Sequence, residues 1–274
     1  MRKSFSAASA CALLFMLVCC NNPARQAALC YETAVRAFES GDYVSARQQI
    51  DSIRILYPTV IDIRREALVL EQRIDSVESI RTIAFEDSIL SEARRNLESL
   101  LPLYKLEKDE IYQDIGNYVI PSQNPENNIS RSYLRAQVDE KGRLTLVSTY
   151  SGARHIHHTA IRVSDGEVFQ ESQPSDDCFE YDDLGVCYEK CNIHMENDPG
   201  VVSFIALNRD NDRLALTLVG ETEEVKVKMT AADRKAVARI YDLSLLLLSI
   251  EEHQKRLDEA RRRLQFVTSK MSLE

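Results

Sequence analysis

Apolar residues recur along this chain with two different periods, and the change of period divides it into blocks. Between Val60 and about Glu110, Ile63, Ala67, Leu70, Ile74 and Val77 return in steps of four and three, the spacing of a helical seam. The phase slips near Ile80–Ile83 and resumes with Ile83, Leu90, Leu97 and Tyr104 at sevens. No Gly or Pro interrupts the run before Pro102, so the pattern predicts a helix of roughly 60 Å that breaks near that proline. At the far end Leu243, Ile250, Leu257, Leu264 and Met271 recur every seven residues, with Leu246, His253, Ala260 and Val267 filling the second seam position. The middle, about Ile115 to Met229, alternates with period two. It predicts strands over Ser132–Val138, Leu144–Tyr150, His155–Val163, Val186–Met195, Val202–Leu207, Arg213–Val219 and Val225–Met229, separated by turn residues such as Asp165-Gly166 and Asp198-Pro199-Gly200.

Two single apolar stripes cannot both face water, so the long helices are expected to bury against each other, antiparallel. Thr230-Ala-Ala-Asp233 has the form of a capping box opening the second one. Ahead of the first, residues 28–58 resemble one tetratricopeptide-type hairpin. Ala34, Gly41-Asp42-Tyr43, Ala46, Ile50, Ile53 and Pro58 carry the likeness. A solenoid of that kind needs about three copies, so this hairpin must lean on something else. The expected fold is α+β: a helical hairpin and long antiparallel coiled-coil helices flanking an antiparallel β-sandwich-like domain. The expected boundaries are a signal peptide over 1–19, hairpin and long helix over 20–110, β domain over 111–229 and closing helix over 230–274.

The N-terminus supplies an address. Arg2 and Lys3 precede an apolar run from Ala10 to Val18, too short to span a bilayer but suited to a signal peptide. Leu17-Val18-Cys19-Cys20 resembles the lipobox of bacterial lipoproteins, which implies lipidation at Cys20. Cys at the position before it departs from the usual small residue and leaves Cys19 as an alternative acceptor. Surface-exported lipoproteins of Bacteroidota often carry an acidic run after the lipidated cysteine; none follows Cys20, so the resemblance implies the periplasmic side over surface exposure. Net charge is −9, and loss of Arg2 and Lys3 takes it to −11. That balance argues against nucleic acid, whose phosphates require a basic surface.

Candidate chemistry is sparse. In an oxidising compartment Cys178, Cys187 and Cys191 are candidates for a disulfide or for packed free thiols. Cys187 and Cys191 on one strand lie about 13 Å apart, too far to bond each other, which leaves Cys178 with either of them. His155 and His157 alternate onto one face of a predicted strand, with His158 on the other, and His194 could join them as a third ligand. The simpler reading is polar residues on a strand, and no metal or cofactor is assigned. Asp176-Asp177 and Asp182-Asp183 lack the glycine and spacing of a calcium loop and are expected to be a solvated loop. Ser52, Ser76 and Ser88 each sit in an Asp-Ser-aliphatic triplet resembling the O-glycosylation acceptor of Bacteroidota. No phosphate loop, nucleophile elbow or His-Glu-x-x-His is present.

Taken together, the lipobox, the hairpin Phe38–Ala46 through Tyr57-Pro58, and the segment Ser132–Gly142 leading to His157-His158 resemble a set of uncharacterised Bacteroidota lipoproteins with an N-terminal tetratricopeptide-like hairpin, long coiled-coil helices and a β domain. The resemblance implies location and no activity. The expected role is a non-enzymatic, lipid-anchored envelope protein presenting a β module to an envelope protein partner. The alternatives are a periplasmic-adaptor-like component of an export assembly, or a metal-dependent hydrolase built on the histidines.

Overall fold

Pro23 stands at the first position of a helix, where its missing N–H costs nothing, and the Asn22 side chain accepts from Ala24 N at 3.1 Å. The computed structural model describes residues 22–129 and 131–272, so the signal segment 1–19 and Cys20 fall outside the described residues. Contacts divide the chain into two units: residues up to Thr82 together with Ala260 onward, and Ile83–Glu259.

In the first unit α1 (Pro23–Glu39) and α2 (Tyr43–Leu56) are joined through Gly41, whose φ of +82° suits glycine. The Asp42 carboxylate then caps α2 by accepting from Ser45 N. Ala34, Ala46, Ile50 and Ile53 share one core with Ala67, Leu70 and Ile74 from the start of α3 (Ile61–Leu100). The two alanines, both without exposed surface, leave room for the larger side chains around them. Arg47 bridges to Asp75 and Glu78 of α3, and Asp75 also receives Arg263 from the end of α5 (Ala231–Met271), at 2.6 Å.

The second unit holds the strands: β1 (Lys105–Glu107), β2 (Asn117–Val119), β3 (Tyr133–Asp139), β4 (Leu144–Gly152), β5 (His158–Ser164), β6 (Phe169–Glu171), β7 (Cys178–Asp183), β8 (Val186–His194), β9 (Ala215–Gly220) and β10 (Glu224–Lys228). They form a six-stranded antiparallel sheet, β1-β2-β3-β4-β8-β7, and a four-stranded one, β10-β9-β5-β6. Leu134, Ala136, Leu146 and Ile193 of the first sheet and Ile161, Val163, Leu216 and Leu218 of the second enter one core with the opening turns of α5. Thr230 and Asp233 cap that helix reciprocally: Asp233 N donates to Thr230 Oγ1 and Thr230 N to the Asp233 carboxylate. The α+β class is observed, with five helices and two antiparallel sheets among the described residues.

Several local expectations are corrected. The run Val202–Leu207 is helical, part of α4 (Val201–Leu207), because Asp198 accepts from the N–H groups of Gly200, Val201 and Val202. Its buried residues, Val201, Val202, Ile205 and Ala206, recur at helical spacing. Strand β5 begins at His158, three residues later than expected, because His157 is left-handed at φ +54°. Residues 178–183 are an edge strand and not a loop. It turns back through Leu184 and Gly185, both at positive φ as a two-residue hairpin requires. β-structure starts at Lys105, ahead of the expected boundary at 111. Three residues past the phase slip of the first seam lies a buried carboxylate: Glu86 is paired to His253 at 2.6 Å and Arg256 at 3.6 Å.

Candidate functional site

Pairing register sorts the side chains of β4, β8 and β7 onto two faces. One face carries the rows Ser148–Cys191–Cys178, Tyr150–Glu189–Glu180 and Gly152–Cys187–Asp182. Glu189, Cys191 and Ile193 alternate as buried residues along β8, so the carboxylate is carried inward by strand period alone.

Glu189 organises the segment that precedes β5. Its Oε1 accepts from Ile156 N (2.6 Å) and His157 N (2.9 Å), and its Oε2 from His158 N (2.9 Å) and His158 Nδ1 (2.7 Å). His155 Nδ1 lies 3.3 Å from Oε1. Three successive backbone N–H groups converging on one anion form a nest, and the left-handed His157 is what curves the chain around it. Burial pushes the Glu189 carboxyl up, but those N–H donors outweigh it and hold the group at about 2. Burial lowers His158 against the pull of Glu189; its Nδ1 donates to the carboxylate, and its Nε2 lies 2.9 Å from Ser148 Oγ.

Glu189, His158 and Ser148 thus line up as acid, imidazole and hydroxyl, the order of a nucleophilic triad. Ser148 has no exposed surface and His158 has 1%. A nucleophile must reach its substrate, so this chain is an internal polar network that ties β4, β5 and β8 together.

Nearer the surface, His155 and His157 stack at 5.7 Å between centroids. His157 Nδ1 meets Glu180 at 2.8 Å, a contact that, with the charge of Glu180, raises the ring above its ordinary value. His155 Nε2 meets Asp182 Oδ1 at 3.0 Å. Two overlapping groups have ligand atoms mutually within 4.8 Å: His155, Asp182 and Cys187, and His155, Glu180 and Glu189. His194 is in neither. It contacts Thr145 and Asp177, and His157 belongs to neither group, so the three candidate histidines do not share one ligand cluster.

Cys178 is bonded to Cys191 directly across the β7–β8 pair. Cys187 and Cys30 are free thiols among the described residues. Hydrogen bonding to Asp182, followed by burial, raises the Cys187 thiol above its usual value. The serines of the triplets lie on helices. Ser52 is half-buried on α2 with its hydroxyl on Gln48 O, Ser76 is half-buried on α3, and Ser88 on α3 is exposed.

The opposite face of the same strands forms a groove of about 570 Å³. Tyr181 and Tyr188 stack along it at 5.0 Å, and Arg131 lies over the Tyr133 ring at 4.9 Å. Arg135 is 7% exposed and bonded to Glu107 through one terminal nitrogen, while its Nε has no partner. Neither Glu189 nor this groove was foreseen. The available signal was strand parity, which puts Glu189 on the side of Cys191 and Ile193, whereas Tyr181 and Tyr188 meet only through the β7–β8 register.

No family model, curated protein or solved structure matches the chain.

Proposed function

We propose that this protein is a lipid-anchored envelope protein whose β-rich unit binds an envelope partner in the groove floored by β3, β4, β8 and β7. The observation that carries the reading is Arg135, a guanidinium that lines the groove among tyrosine rings. A guanidinium on a groove wall suits a carboxylate of a partner, which it can hold through charge-assisted hydrogen bonds. The stacked tyrosines and Tyr133 supply flat apolar area beside it, the composition of a protein-recognition surface. The lipobox-like Leu17–Cys20 and the acidic balance support an anchored protein that does not bind nucleic acid.

The same reading takes the two sheets as a sandwich, and α3 with α5 as an antiparallel coiled coil. Cross-helix pairs in opposite chain order, Glu86 with His253 and Asp75 with Arg263, support it.

A photoreactive residue at Tyr188, introduced in the native envelope, is expected to give one discrete adduct that Arg135→Gln removes. The same probe at exposed Val44 of the first unit should not give that adduct. Equal labelling from both positions, or none from Tyr188, overturns the groove. Fatty-acid labelling and membrane retention that survive Cys20→Ala overturn the anchor.

A further inference from the structure

We propose that His155, Asp182 and Cys187 bind a divalent transition metal, with zinc the best match. Their donor atoms, an imidazole nitrogen, a carboxylate oxygen and a sulfur, lie mutually within 4.8 Å. Bonds of about 2.0 Å to nitrogen and oxygen and about 2.3 Å to sulfur separate tetrahedral ligands by somewhat less, so shifts of about an ångström close the shell. The mixed N, O, S set suits a borderline-soft ion such as zinc and suits calcium or magnesium poorly.

Three features of the fold prepare these atoms. Asp182 and Cys187 are directly opposed on β7 and β8, next to the tight hairpin at Leu184-Gly185, so their separation is set by sheet geometry. His155 is held from behind: its Nδ1 lies 3.3 Å from a Glu189 oxygen that the backbone N–H groups of Ile156 and His157 also hold. In the tautomer whose Nδ1–H donates to that carboxylate, Nε2 turns its lone pair toward Asp182 and Cys187. This is the carboxylate–histidine–metal arrangement that fixes ring orientation and tautomer at zinc sites. Moreover, His155 Nε2 sits 3.0 Å from the Asp182 oxygen, where two acceptors face each other unless a proton or a cation lies between them.

The competing group, His155 with Glu180 and Glu189, is the poorer ligand set. Both Glu189 oxygens are already engaged by N–H donors, and a cation there would have to displace them. Three protein ligands leave a fourth position for water or a small anion, and Asp182 opens that side to solvent.

The test uses the full chain purified without chelator. Zinc titration against a chromophoric chelator is expected to show one equivalent bound. Cobalt is expected to give the visible bands of a tetrahedral site together with a thiolate charge-transfer band. Cys187→Ser should abolish that band and weaken zinc binding at least about tenfold, and His155→Gln should weaken it comparably. Cys30→Ser and His194→Gln should bind as the parent does. Cys187 is half-exposed, so far-ultraviolet circular dichroism of Cys187→Ser should match the parent and separate ligand loss from misfolding. No stoichiometric zinc, a cobalt spectrum without the thiolate band, or unchanged affinity in Cys187→Ser overturns the proposal.

Discussion

One oxygen of Glu189 takes two hydrogen bonds from the single residue His158, from its backbone N–H at 2.9 Å and its ring Nδ1 at 2.7 Å. Both side chains are buried. Glu189→Gln keeps the shape but turns an amide NH₂ toward N–H donors. The expected loss of stability is about 3 kcal/mol, from weakened charge-assisted bonds and a donor left unpaired. Glu180→Gln on the neighbouring edge strand, with its more exposed side chain, should cost under about 1 kcal/mol. Urea midpoints of the two variants check the ranking, and equal losses would refute the role given to the nest.

Asp233 provides the pH dependence. Burial pushes its carboxyl up, but the hydrogen bonds from Arg131, Gln123 and Thr230 outweigh that and hold it below the usual range of 3.8. A depressed carboxyl contributes stability that is present above pH 3.8 and is lost as pH falls through the folded-state value. Asp233→Asn should therefore be less stable than the parent by about 2 kcal/mol at neutral pH. The difference should close as pH drops below about 3.8. Paired urea titrations at several pH values check this, and a gap independent of pH would contradict it.

The Cys178–Cys191 bond closes a short loop, with 13 residues of sequence separation. Replacing both cysteines by alanine is expected to cost about 3 kcal/mol through the freed unfolded chain. Under reducing conditions the parent should fall to the same stability, which compared melting curves would reveal. Alkylation without reductant should modify Cys30 and Cys187 and leave the bonded pair intact.

Gly142 turns between β3 and β4 at φ +87°, and a Cβ there would lie 2.8 Å from the backbone nitrogen of Leu248 in α5. Its carbonyl also accepts from Ser244 Oγ at 2.6 Å. Gly142→Ala combines left-handed strain with a clash against helix backbone and should destabilise by about 2 kcal/mol or more. Gly166→Ala, at φ +99° but in open space, carries the strain alone and should cost less. Thermal unfolding of the two variants separates packing from backbone strain.

Period and punctuation determined much of this protein by themselves. Sevenfold and three-four spacing marked α3 and α5, and Thr230 and Asp233 marked the start of α5, because these rules act within a few residues. Alternation located β3, β4, β8, β9 and β10 to within a residue or two for the same reason. Where local signals conflicted, tertiary structure decided. The apolar run 202–207 suits either a strand or a buried helix, and the three N–H groups gathered by Asp198 settled it. The short strands β1, β2 and β6 carry too few residues to show a period and exist because a neighbouring strand pairs with them. Likewise, nothing near His155 in the sequence announces Glu189, Asp182 or Cys187. Those groups come from β7 and β8, about thirty residues on, and meet it only because the sheet register brings them there. Pattern along a chain reports which face a side chain takes, whereas the identity of what it meets depends on which strands pair.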